Sequence, residues 1–211
     1  SLYFPASDPI HKATIIPRGR ALGMVMRLPE ADKLSYLREK MIADLAVSMG
    51  GRVAEEIIFG YEKVSSGASS DIKYASKLAR AMVTEWGMSD KIGPLFYGAE
   101  QQESFLGYGA PARASSEQMA NIIDDEVKRF VEEAHVNAKN ILTDHIDELH
   151  NIAQALLEFE TLTGDEIRGL LKGEQIKRVE LEKKIVTKSS LPSSRTKKVS
   201  TTDVFEGDKP A

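Results

Sequence analysis

The chain has 211 residues, of which 28% are charged and 42% hydrophobic, ordinary globular usage, with a formal net charge of −4 that does not ask for nucleic acid as a partner. It has no cysteine, which excludes disulfides and thiolate metal sites and suits a reducing compartment. No apolar run approaches the ~18 residues that span a bilayer, and no signal-peptide pattern opens the sequence.

Ser1 to Pro9 read as neither a translation start nor a domain edge, so the chain is expected to begin inside a larger protein. Ala13 to Ile16 form a β-prone run, Pro17-Arg18-Gly19 is turn chemistry, and Leu22, Met24, Met26 and Leu28 alternate as a half-buried strand does. Next comes a long helix with the stripe Ile42, Ala46, Met49, Val53 and Ile57 and a predicted stop at Gly60. Gly50-Gly51 interrupts it, either weakening the helix or admitting another backbone. Ile72, Ala75, Ala79, Met82 and Trp86 mark one face of a second helix, with Ser66, Ser69 and Ser70 as nearby cap residues.

Gly87, Gly93 and Pro94 break that period. Leu95 to Tyr97 is expected as a short strand, and Glu100 to Arg113 as a surface loop. Ser115 and Gln118 predict a capping box. The helix behind it carries Met119, Ile123, Val127, Phe130, Ala134, Ala138 and Ile141 on one stripe. Thr143 is expected to cap the next helix, with the stripe Ile146, Leu149, Ala153 and Leu156, in an antiparallel helical hairpin. Thr163 and Glu166 predict another capping box, for a short helix ending near Leu171. Residues 1–172 read as one domain and 173–211 as a basic, Ser/Thr-rich tail expected to be disordered. The fold class is mainly α, with a small β-hairpin near the N-terminus.

Asp71 sits at the head of the second helix, on or beside the face to be buried. One reading is structural, since an acid in the first turn gains roughly 0.3–1 kcal/mol from the helix dipole. The other is a carboxylate presented inward to a metal, with Gly67, Ala68 and Ser69 leaving room for other ligands. A catalytic zinc site needs three protein ligands and an open position. His11, His135, His145 and His150 each read as surface or boundary histidines, and no HExxH occurs. Glu55 and Glu56 are either a solvated helix end or a partly buried support that orients a metal ligand. Gly164 to Gly173 starts like a phosphate loop, but Leu170 stands where the lysine belongs. There is no G-x-S-x-G, and without cysteine no thiol nucleophile. The tail's lysines lack interleaved aromatics, so nucleic acid is not expected there either.

The blocks IHKATIIPRGRALGMVMRLPE, GGRVAEEIIFG and SSGASSDIKYASKLARAMVTEWGMSDKIGPLFYG resemble, in order from about Pro5 to Leu171, the FtsH family of membrane-anchored, ATP-dependent zinc metalloproteases. The resemblance implies a mostly helical peptidase domain that follows an AAA+ ATPase module binding ATP and Mg2+, in a homo-hexameric ring. It implies membrane segments near the N-terminus, substrates that are unfolded or membrane proteins, and a place on the cytoplasmic side of a bacterial inner membrane or its organellar equivalent. In that family Zn2+ is held by two histidines of an HExxH helix and an aspartate of a later helix. The aspartate matches Asp71, and the glutamate of the AEEII block that supports the site matches Glu55.

The HExxH helix is expected upstream of Ser1. Two ligands and the general-base glutamate would then lie outside this chain, which holds no catalytic residue and is expected to bind zinc weakly and cleave nothing alone. The Leu22–Leu28 strand is expected to offer an edge to extended substrate, with Gly23, Met24 and Val25 as binding positions. The alternative is a non-catalytic helical oligomerisation or chaperone module of an inactive relative. An intact or altered HExxH would separate the two.

Overall fold

Ile10–Thr14 (β1) and Met24–Arg27 (β2) form the predicted hairpin in a computed structural model that describes residues 1–17, 19, 22–29, 35–97 and 116–176. The strands run antiparallel, with Ala13 opposite Val25 and Thr14 opposite Met24. Gly23 lets them close: a Cβ there would lie 2.8 Å from the Thr14 carbonyl oxygen. Thr161–Thr163 (β3), which the sequence did not reveal, pairs with the other edge of β1 and completes a sheet of order β2-β1-β3. A three-residue strand is too short to carry a period. The half-buried alternation expected of β2 is only partly realised. Met24 and Met26 are half-covered, but Leu22 is 83% exposed and Leu28 is also exposed.

Arg38–Phe59 (α1) ends where Gly60 takes φ 82°, a conformation that favours glycine. The helix runs unbroken through Gly50-Gly51, and a Cβ on either glycine would meet nothing within 4 Å, so no other backbone among the described residues uses the gap. After a 3-10 turn at Tyr61–Lys63 comes Ser69–Thr84 (α2). Its buried face is Ala75, Ala79, Met82 and Val83, while Ile72 is 40% exposed and Trp86 lies past the end. The expected serine caps are not used, because Ala68 is the N-cap and makes no side-chain bond. Leu95 to Tyr97 is not a strand: the Tyr97 N–H donates instead to the Thr84 carbonyl at 2.7 Å.

Glu117–Asp144 (α3) is capped by Ser116, whose hydroxyl accepts from the Met119 N–H at 3.2 Å. Ser115 and the Glu100 to Arg113 loop lie outside the described residues. α1, α2 and α3 pack on one another around Leu45, Met49, Val53, Met82, Ile123 and Phe130. Alanines 75, 79, 134 and 138 let the helices approach. Each large apolar side chain buried here contributes about 1.5–3 kcal/mol.

Thr143 falls inside α3 rather than capping its successor, and His145 alone separates α3 from Ile146–Phe159 (α4). The inner face of α4 is Ile152, Ala155, Leu156 and Phe159, and Ala153 is exposed. These side chains pack with Ala13, Leu162 and Ile167, the last from Gly164–Leu171 (α5). α3 and α4 therefore serve two different cores and do not form the expected hairpin. The Thr163–Glu166 capping box is present in full. Of the 173–211 tail, residues 177 onward lie outside the described residues.

Candidate metal centre

Asp71 occupies the first turn of α2, and every residue from Ser69 to Tyr74 is exposed. The carboxylate that the resemblance turns inward to a metal is therefore solvent-exposed in this chain. Asp71 does precede Ala75 on the same row, but the first turn projects past the edge of the three-helix core. Among the described residues, the Asp71 carboxylate has no hydrogen-bond or ion-pair partner.

The approach to that turn is fixed from α1. Glu55 accepts the Ser65 N–H at 2.8 Å on one oxygen and the Ser65 hydroxyl at 2.7 Å on the other. The same hydroxyl accepts the Gly67 N–H at 3.1 Å. The Ser65 amide, then its hydroxyl, hold the Glu55 carboxyl below its usual range. Glu55 is neither a bare solvated end nor a buried group. It clasps the loop that delivers Asp71.

The other candidates are engaged elsewhere. Burial pushes Glu56 up, but Arg52 at 2.8 Å and His135 at 3.1 Å outweigh it and leave its pKa lowered. His145 stacks on Tyr3 with ring centroids 3.9 Å apart and meets Glu148 through Nδ1 at 3.2 Å, while the Tyr3 hydroxyl also donates to Glu148. His11 and His150 are exposed. No three His, Asp or Glu side chains come together as a metal site among the described residues.

At β2, the Ile15 N–H donates to the Glu160 carbonyl on the β3 side at 2.9 Å. Backbone groups alternate direction along a strand, so those of Thr14 and Lys12 face β2, opposite Met24 and Met26. The Leu28 N–H, which donates to the Pro9 carbonyl at 3.2 Å, keeps that parity. Between them, the N–H and C=O of Val25 face away from β1, on an edge that no described strand covers. The Val25 side chain is 60% exposed.

Two charged clusters escaped the sequence reading. Asp44 of α1 joins Arg27 of β2 at 2.8 Å and Lys40 at 3.0 Å, and Lys40 reaches Asp8 at 2.8 Å. Partial covering of the otherwise exposed Tyr74, then the charge of Asp44, raises the Tyr74 pKa. Glu126 is 1% exposed inside the α3 stripe. The i,i+4 spacing of Lys40 and Asp44 was a legible signal for the first cluster. For the second it was the place of Glu126 one turn before Phe130.

Residues 1–170 match the family model of peptidase family M41. The chain is 58% identical over 175 residues to the ATP-dependent zinc metalloprotease FtsH of Rickettsia bellii, covering 83% of this chain and 27% of that protein. It is 56% identical over 192 residues to the protein of the same name from Neorickettsia risticii, covering 90% and 29% respectively. The Caulobacter vibrioides protein of that name is 57% identical over 183 residues, covering 86% and 29%. The chain thus spans less than a third of the length of these relatives.

Proposed function

The chain belongs to peptidase family M41, and from that premise we propose that it is the peptidase domain of a membrane-anchored, ATP-dependent zinc metalloendopeptidase that degrades unfolded or membrane proteins. The observation that carries the reading is the exposed carboxylate of Asp71, without a partner among the described residues, on a helix start held by Glu55. An oxygen donor of this kind fits one of the three protein ligands of a catalytic zinc site. The other two, with the general-base glutamate, would come from an HExxH segment upstream of Ser1. This chain alone then binds zinc weakly and cleaves nothing.

When bound, zinc supplies Lewis acidity to a water and to the scissile carbonyl. Asp71 would give the ion one ligand. Glu55 holds the 65–67 turn and so would act on the position of Asp71 rather than on the metal. Val25 offers a backbone donor and acceptor to an extended peptide, while Gly23 keeps β2 close to β1 and Met24 pairs inward across from Thr14. ATP and Mg2+ would be handled by a module outside this chain, in a homo-hexamer on the cytoplasmic side of a bacterial inner membrane or its organellar equivalent. No helix among the described residues is long and apolar enough to cross a membrane, so anchoring would fall to other segments.

The test is Asp71→Asn in the full-length protein. Bound zinc should fall and proteolysis of an unfolded substrate should be abolished, with ATP hydrolysis largely retained. A variant that keeps its zinc and its proteolysis would remove Asp71 from the site.

A further inference from the structure

β2 is weakly seated for a strand that is to receive substrate. As an element it packs against β1, and none of its apolar side chains belongs to either core. Among the described residues, the polar tie from β2 to the helices is made by Arg27. Its guanidinium donates to Asp44 Oδ1 at 2.8 Å and to the Ser7 hydroxyl at 3.3 Å. Asp44 uses its second oxygen for Lys40, and Lys40 bonds Asp8 just ahead of β1. Lys40 and Asp44 are both buried, so solvent screens these pairs far less than a surface bridge. Two cations and two anions balance. Both oxygens of Asp44 are committed, one to the edge strand and one to the lysine that holds the segment before β1.

Buried ion pairs of this kind are weak sources of stability, and their attested use is to select one arrangement among several. Here the arrangement is the position of β2 relative to α1. α1, which carries Asp44, also packs directly on α2, which carries Asp71. The quartet therefore relates the edge strand to the helix that carries the candidate ligand. We infer that Asp44, acting through Arg27, is a positioning residue that sets the β2 edge at the distance from the Asp71 helix at which an extended peptide is presented for cleavage. This rests on the reading of the Val25 edge as the peptide site.

The experiment compares Val25→Pro, Arg27→Met and Arg27→Lys in the full-length protein. It measures kcat and KM for ATP-driven degradation of casein, together with bound zinc, ATP hydrolysis and hydrogen exchange of the 24–27 amides. Arg27→Met should raise KM roughly tenfold, since small misplacements of a bound substrate carry penalties of that size or more. Its kcat, zinc and ATP hydrolysis should stay near wild type, and the β2 amides should exchange faster. Arg27→Lys, which keeps the charge opposite Asp44, should recover most of the loss. Val25→Pro removes the edge N–H without touching a bond to β1 and should block degradation. Normal degradation by Val25→Pro would overturn the edge reading and the inference with it. Blocked degradation there, with an unchanged KM in Arg27→Met, would overturn the inference alone. So would loss of zinc or ATP hydrolysis in Arg27→Met, which would mark a general structural part.

Discussion

The Glu55 carboxylate takes both protons that Ser65 can offer, the amide at 2.8 Å and the hydroxyl at 2.7 Å, and so fastens the end of α1 to the loop that begins α2. α2 has no side-chain cap of its own. Its start is set by this clasp and by the Gly67 N–H, which donates back to the Ser65 hydroxyl.

Glu55→Ala in the full-length protein should therefore act locally. The carboxylate is only partly covered and lies outside the core, so global unfolding should barely change. The Ser65 and Gly67 amides should exchange faster. Zinc affinity should drop by about tenfold, the lower end for groups that orient a ligand from behind. Metal titration with parallel hydrogen exchange checks both, and unaltered affinity with a loosened loop would separate the clasp from the metal.

Glu126 offers a stability prediction with a definite pH window. Arg129 at 2.8 Å, Ser89 at 2.7 Å and Lys91 at 3.0 Å surround its buried carboxylate. Arg129 above all, against the opposing effect of burial, brings its pKa from 4.5 to about 2. A folded-state pKa below the unfolded one means stability that is complete above the unfolded value and lost as pH falls through the folded value. On the order of 3 kcal/mol should disappear as pH falls from 4.5 through about 2. Urea unfolding at a series of pH values should show that slope in the wild type. In Glu126→Gln the slope should be missing, and stability at neutral pH should be lower by about 1–3 kcal/mol.

The sequence announced its helices far better than what surrounds them. Long stripes such as Met119 to Ile141 average over many turns, so one exposed or charged member does not hide the period. β3 has three residues and no period to read. Ala153 and Ala155 are equally plausible by composition, and only the second core decides that Ala155 is the buried one. At the candidate site the family resemblance pointed to Asp71 and Glu55, while the clasp of Glu55 on Ser65 is visible only in the structure. The exposure of Asp71 was not legible either, because a helical row says which residues share a face but not where the core beneath it ends. Arg27 and Asp44 meet across 17 positions of sequence, a contact that no local pattern encodes.

Two glycine substitutions should move stability in opposite directions. Gly51 is exposed in mid-helix, and a Cβ there meets nothing within 4 Å. Gly51→Ala should stabilise this chain by about 0.5–1 kcal/mol through the helix propensity gained. Gly164 is also helical, at the first position of α5, and propensity alone would give it the same sign. Its Cβ, however, would sit 1.9 Å from the Ile10 carbonyl oxygen, a backbone atom of β1 that cannot rotate away. Gly164→Ala must push α5 off the sheet, and should destabilise by about 1–3 kcal/mol as overpacking does. Thermal unfolding of the two variants side by side checks the pair. Stabilisation by both would mean that α5 does not approach β1 this closely, and the second core around Leu162 and Ile167 would have to be redrawn.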